Sequence, residues 1–258
     1  FPEHSLRFTN DFEFFRQEVA DQFPQEIDGF NKLVEKILSF DELNLNDEKT
    51  LTSRPILESF IKNPVLIDML NCPLMYYGNA REGDMDFYQF VIMFKSVFVE
   101  GFAKPVGGMP YILQLFEEKF KQLGGELRMG SGVTSINAEN RTVESVTLEN
   151  GEQLIAENII SSMGYVETLN HCAPTLKETE ECETGQVSFM ESLCVVDREP
   201  RDLGYDKSIV FFSTQPRFDY KVPDEMINIT TGVLCCSNNF DYPEPMKEGL
   251  IRLTNLAN

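Results

Sequence analysis

His4 and His171 are the only imidazoles in the chain, and the six cysteines (Cys72, Cys172, Cys182, Cys194, Cys235 and Cys236) form no C-x-x-C pair. A zinc site needs ligands clustered at short spacing, so these residues predict no metal centre. His171 and Cys172 are adjacent, but neighbouring side chains on a strand or helix diverge, which argues against a nucleophile–base pair. Scattered, buried thiols suit a reducing compartment, so the expected location is cytoplasmic. Glu82, Asp84 and Asp86 precede a Phe-rich segment. Three carboxylates there can favour a helix N-terminus or supply a general base, and the first role is the more ordinary. No catalytic triad is visible. The single G-x-G, Gly130-Ser131-Gly132, is followed by Val-Thr-Ser and lies between two expected strands, so it is not a phosphate cradle.

Two further features bear on binding. Gly107-Gly108 reads as a helix-entry turn or as a point where backbone can approach a cofactor or substrate. The stretch Met85 to Phe102 is apolar nearly all round, which predicts a helix buried in a core or lining a greasy cavity. Phe87, Phe90, Phe94 and Phe98 are its candidate substrate contacts.

The first hundred residues read as helices. Asn10 or Asp11 can cap one carrying Phe12, Phe15, Val19 and Phe23 on one face. Pro24 can open a second through Ile27, Phe30, Leu33, Val34, Ile37 and Leu38. Asp41 to Thr52 is a polar loop. Ser53 with Pro55 starts a third helix, and Pro64 a fourth that ends near Cys72-Pro73, before a turn at Tyr76 to Asn79. Met109 to Leu123 is amphipathic, with Ile112, Leu113, Leu115, Phe116, Phe120 and Leu123 expected to face inward, and Gly124-Gly125 stops it. Short strands follow at Glu126 to Met129 and Val133 to Ala138. Thr142 to Leu148 pairs with Gln153 to Ala156 across Asn150-Gly151, a hairpin signal. Asn158 to Met163 closes this part as a strand. Thr175 to Glu183 is a charged connector, and Val187 to Val196, Ser208 to Ser213 and Met226 to Cys236 are strands of a second sheet. Pro245 begins a terminal helix. That helix looks cut in mid-pattern, and the chain begins at Phe1 without Met, so both ends suggest an excised segment.

A length of 258 residues allows one large or two modest domains with a real core, and 42% hydrophobic residues, including 21 Phe, make the chain globular. A net charge of −20 repels phosphate backbones and anionic lipid, which argues against nucleic acid and against a polybasic anchor. It serves solubility, or steering of a cationic substrate. No apolar run is long enough to span a bilayer, so any membrane contact would be peripheral.

Gly107-Gly108-Met109 and the helix after it, Leu123-Gly124-Gly125-Glu126-Leu127, Gly132-Val133-Thr134-Ser135-Ile136, Val146 to Gly151 and Ala156 to Ser162 come in an order that resembles the phytoene dehydrogenase and carotenoid isomerase branch of the flavin-dependent amine-oxidase superfamily. Cys72-Pro73 to Asn79 with the Phe-rich helix is similar to that branch's substrate-domain cap. The resemblance implies an α+β fold: a helical cap over 1–103, part of an FAD-binding domain over 104–174 (a helix and a small β-meander), and a mixed-sheet substrate domain with a terminal helix over 175–258. It implies FAD in a full-length parent, whose pyrophosphate loop and Gly-rich closing segment are missing here, so the fragment is not expected to retain the cofactor. By family position, the Val133 backbone meets the adenine end of FAD, Gly107 and Gly108 lie near cofactor or substrate, and Ser161 and Ser162 mark the return into the cofactor domain. The implied function is that of a flavin-dependent oxidoreductase, desaturase- or isomerase-like, on a hydrophobic isoprenoid or carotenoid. A flavin amine oxidase of the same fold and a non-enzymatic lipid- or partner-binding module are the alternatives. Expected partners are a hydrophobic small molecule, the missing FAD-binding half and a second copy of the chain.

Overall fold

The computed structural model describes residues 1–41, 51–140, 142–173, 187–242 and 244–258. The expected loop at Asp41 to Thr52 lies mostly outside the described residues, and the connector Thr175 to Glu183 wholly so. In chain order the elements are α1 (Phe12–Gln22), α2 (Ile27–Leu38), α3 (Ser53–Phe60), α4 (Pro64–Gly78), α5 (Phe87–Phe94), a π-helical turn (Lys95–Val99) and α6 (Gly108–Gln122). Then come β1 (Val133–Glu139), β2 (Thr142–Leu148), β3 (Gln153–Leu154), α7 (Tyr165–His171), β4 (Cys172–Ala173), β5 (Ser188–Val196), β6 (Ile209–Ser213), β7 (Thr231–Cys236) and β8 (Gly249–Ala257). The class is α+β. The chain divides into two units: Phe1–Lys104 with Gly185–Asn258, and Pro105–Thr184.

Helices of the first unit start where side chains satisfy the free N–H groups. Asp11 accepts from Glu13 N at 3.0 Å, Asn63 from Val65 N at 2.9 Å, and Asp86 from Tyr88 N at 2.9 Å. Phe30, Leu33, Val34 and Ile37 of α2 are buried at helical spacing. α4 runs through Pro73 to Gly78, beyond the expected stop at Cys72-Pro73 and across the expected turn at Tyr76 to Asn79. Pro73 has no N–H and leaves one helical carbonyl without its usual donor. Burial of nearly every residue from Leu66 to Tyr76 outweighs that local cost. The single helix expected over Met85 to Phe102 is instead α5 followed by a wider turn, closed by Glu100 N donating to Lys95 O at 2.8 Å.

The sheet of this unit is antiparallel, in the order β5-β8-β7-β6. Its β8 overturns the expected terminal helix. A short apolar run carries either period. Here β5 and β7 flank β8 and bond it on both sides, which decides for strand. Aromatic rings fill the core: Phe15 stacks on Phe98 at 4.4 Å, and Phe94 meets Phe98 edge-on at 5.1 Å. Each such pair adds about 1 kcal/mol beyond the area it buries.

In the second unit the strands run β3-β2-β1-β4, with β1 and β4 parallel. The Asn150-Gly151 hairpin forms between β2 and β3. Among its described residues only Ile136, Ser145, Leu148 and Cys172 are buried. The inward face expected for α6 is not covered. No residue of α6 is buried, and Leu113, Phe116 and, just past the helix, Leu123 are 61%, 69% and 75% exposed. The strands expected at Glu126 to Met129 and Asn158 to Met163 are irregular chain, because neither finds a ladder partner.

Candidate functional site

A cavity of about 570 Å³ opens inside the first unit. That is the size of pockets that enclose a small ligand, about 300–1,000 Å³. Its floor is α4, which presents Met69, Cys72 and Pro73. Phe98 enters from the π-helical turn, Ile209 and Phe211 from β6, and the irregular segment before α1 supplies a whole wall. Phe8 of that segment packs edge-on against Phe98 at 5.3 Å and lies 6.2 Å from Phe211.

The lining mixes apolar side chains with polar ones, Arg7, Asn10, Asp206 and Lys207 among them. Two cations stand there, and each is already paired. Arg7 holds Glu18 through Nε at 3.0 Å and Nη2 at 2.5 Å, and Lys207 Nζ lies 2.8 Å from Asp206. The Arg7 guanidinium holds the Glu18 carboxyl below its ordinary range, and Lys207 does the same to Asp206. Burial pushes the Cys72 thiol far up, so it stays protonated and a poor nucleophile. Tyr76 is raised by burial, and Tyr220 is pushed up to about 12. Of these three only Cys72 lines the cavity, and none of them loses its proton near neutrality.

α4 is held by a charge network that the sequence pattern did not reveal. Asp68, fully buried, accepts from Arg54 Nη1 at 2.9 Å, Arg217 Nε at 2.5 Å and Phe218 N at 3.1 Å. The acidic cluster serves the same framework. Asp86 caps α5, Asp84 accepts from Ser53 Oγ at 2.7 Å and Arg54 N at 3.1 Å, and Glu82 accepts from Val222 N at 2.7 Å.

Of the four candidate phenylalanines, Phe98 alone lines the cavity, and Phe87, Phe90 and Phe94 are fully buried in the helical core. The candidate cofactor residues all lie in the second unit, in three separate places. Gly107 and Gly108 form the entry turn of α6 with φ of 90° and 69°, a left-handed path that glycine takes freely. Val133 heads β1, half-buried and paired with Leu148. Ser161 Oγ lies 2.7 Å from Thr168 Oγ1, and Ser162 is exposed. Gly130, the one glycine here that precedes a second at G-x-G spacing, enters β1 rather than a helix. These residues do not assemble a dinucleotide cradle by themselves. No helix among the described residues is long and apolar enough to cross a membrane.

No family model matches the chain. Over 208 residues it is 26% identical to 4,4'-diapolycopene oxygenase of Methylomonas sp, a match covering 77% of this chain and 39% of that protein. An oxidoreductase from Methanosarcina mazei superposes with a TM-score of 0.58 at 15% identity, over 88% of this chain and 51% of the other. The PF1083 protein from Pyrococcus furiosus gives 0.55 at 15% identity, over 91% and 55%. The chain thus spans about two-fifths of the curated relative and half of each solved neighbour, and with those neighbours it shares a fold.

Proposed function

We propose that this chain is part of a flavin-dependent oxidoreductase, desaturase- or isomerase-like, that acts on a hydrophobic isoprenoid or carotenoid. The apolar cavity of the first unit carries the reading. Its walls suit a largely hydrocarbon chain, and the name of the Methylomonas protein, an oxygenase of 4,4'-diapolycopene, supports an oxidoreductase. FAD would supply the redox chemistry, and this chain would bind and orient the polyene and keep water away. The bare apolar side of α6 supports a further body of protein packing on the second unit, which would bring the pyrophosphate cradle.

An amine oxidase of the same fold fits less well, because Asp206, the carboxylate in the cavity lining, is already taken by Lys207. A cofactor-free lipid-binding module remains the second reading, favoured by a cavity complete within one unit. The test is the full product of the natural gene, purified and incubated with a linear polyene and, separately, a polyamine. Yellow flavin absorbance with conversion of the polyene supports the proposal. A colourless protein that binds the polyene unchanged favours the module, and conversion of the polyamine favours the amine oxidase.

A further inference from the structure

β6 is an outer strand of its sheet. Cys236 N donates to Ser208 O at 2.8 Å and Thr214 N to Thr230 O at 2.7 Å, so the even-numbered residues of this run turn their main-chain groups to β7. Ile209 and Phe211 turn theirs to the outer edge, where those groups find no hydrogen-bond partner among the described residues. Ile209, Val210, Phe211 and Phe212 all line the cavity, although successive side chains on a strand point to opposite faces. A space that touches all four runs along the edge of β6 rather than over one face.

Residues 4–9 form a second row beside the same cavity. His4, Leu6 and Phe8 are half-buried while Ser5, Arg7 and Thr9 are exposed, the period of two that marks an extended strand. Yet among the described residues no main-chain hydrogen bond joins this run to another segment. The Arg7 amide donates to Glu18 Oε2 at 3.2 Å on one side, which leaves the main-chain groups of Leu6 and Phe8 on the other. The rings of Phe8 and Phe211 lie 6.2 Å apart, so the two rows flank one gap.

In each row the unpaired groups recur at every second residue, about 6.6 Å apart. Groups left so beside apolar side chains cost free energy, and a hydrocarbon offers them no partner. An extended polypeptide repeats donors and acceptors at that interval along both of its edges, so one segment satisfies both rows. The edge of an already formed sheet does not fit, because it pairs on one side only.

We propose that a single extended segment of polypeptide lies between β6 and residues 4–9, bonded to both, and that it extends the four-stranded sheet with residues 4–9 as its new outer strand. The segment belongs to the natural protein outside these 258 residues, since the match covers only 51% and 55% of the two solved neighbours that share this fold. The inference rests on reading the chain as part of that longer oxidoreductase. Met69, Cys72 and Phe98 remain beneath the added strand as the apolar floor for the ligand.

Amide hydrogen exchange, read residue by residue, tests the strand in the 258-residue chain and in the full product of the natural gene. Val210 and Phe212, bonded to β7, should exchange slowly in both. Leu6, Phe8, Ile209 and Phe211 should exchange quickly in the 258-residue chain and at least about a hundredfold more slowly in the full product. Fast exchange at these four in the full product overturns the proposal. Slow exchange in both overturns it too, because this chain then pairs its own rows. A natural gene that encodes these 258 residues alone has the same effect. The ligand reading is tested apart with 1,6-diphenylhexatriene, an uncharged polyene that fluoresces in apolar surroundings. Met69→Trp, which fills the floor, should abolish binding of this probe to the full product. If the probe still binds while the four amides are protected, the strand stands and the reading of the floor fails. If binding is lost while the amides exchange fast, the floor stands and the strand is overturned.

Discussion

Arg217 and Asp68 stand 149 positions apart in the chain, yet Arg217 Nε donates to Asp68 Oδ2 at 2.5 Å. The contact ties the loop before β7 to the helix that floors the cavity. Asp68 is fully buried and Arg217 about half exposed, so the two ends of the bond are unequal. Asp68→Ala should lower stability by about 3 kcal/mol, because it strips Arg54 and Arg217 of their shared partner and leaves Phe218 N unpaired. Arg217→Ala should cost about 1 kcal/mol, since Arg54 still neutralises Asp68. Urea denaturation of the two variants checks the order.

The phenylalanines of α5 and of the turn after it should divide by role. Phe94→Ala should cost about 3–5 kcal/mol and leave polyene affinity unchanged, as its ring is sealed in the core. Phe98→Ala should cost a similar amount and also alter affinity, because that ring borders the cavity. Denaturation and probe titration on the same samples separate the two effects.

Acid should break the Arg7–Glu18 pair. Glu18 is held below its ordinary range by Arg7, so the stabilisation it contributes is full above the unfolded value of about 4.3 and is lost as pH falls through the lower folded value. Wild type should therefore be the more stable at pH 7, and the gap to Glu18→Gln should close below pH ~4. Denaturant midpoints across that range give the answer; a gap independent of pH contradicts the pairing.

Charge placed on the bare side of α6 should be tolerated. Phe116→Glu removes no buried contact, so stability should change by less than about 0.5 kcal/mol. It should reduce binding of a hydrophobic dye and abolish association with the further body of protein proposed to pack there. Dye fluorescence and a pull-down with that body provide the measurements.

Most helix starts were legible because local chemistry sets them: Asp11 announces its cap, Pro64 opens α4, and Phe30 to Ile37 repeat at helical spacing, while the α+β class followed from the resemblance. Pro73 and β8 misled for one reason, that burial or two-sided pairing outweighed a local signal. The same physics hid the cavity, since Phe8, Met69, Phe98 and Phe211 come from four parts of the chain. Asp68 carries no signal in the sequence, because its partner Arg217 lies 149 positions away. For α6 the sequence pattern is clear enough, but nothing in these residues covers the side it marks.

β8 is the last strand of its sheet in chain order and occupies a middle place in it, between β5 and β7. That sheet can close only after β8 has been made, so the helices that precede it in the chain form without the sheet they pack on. Assembly of this unit depends on distant contacts and should be slow, and its early helical intermediate should lean on chaperones.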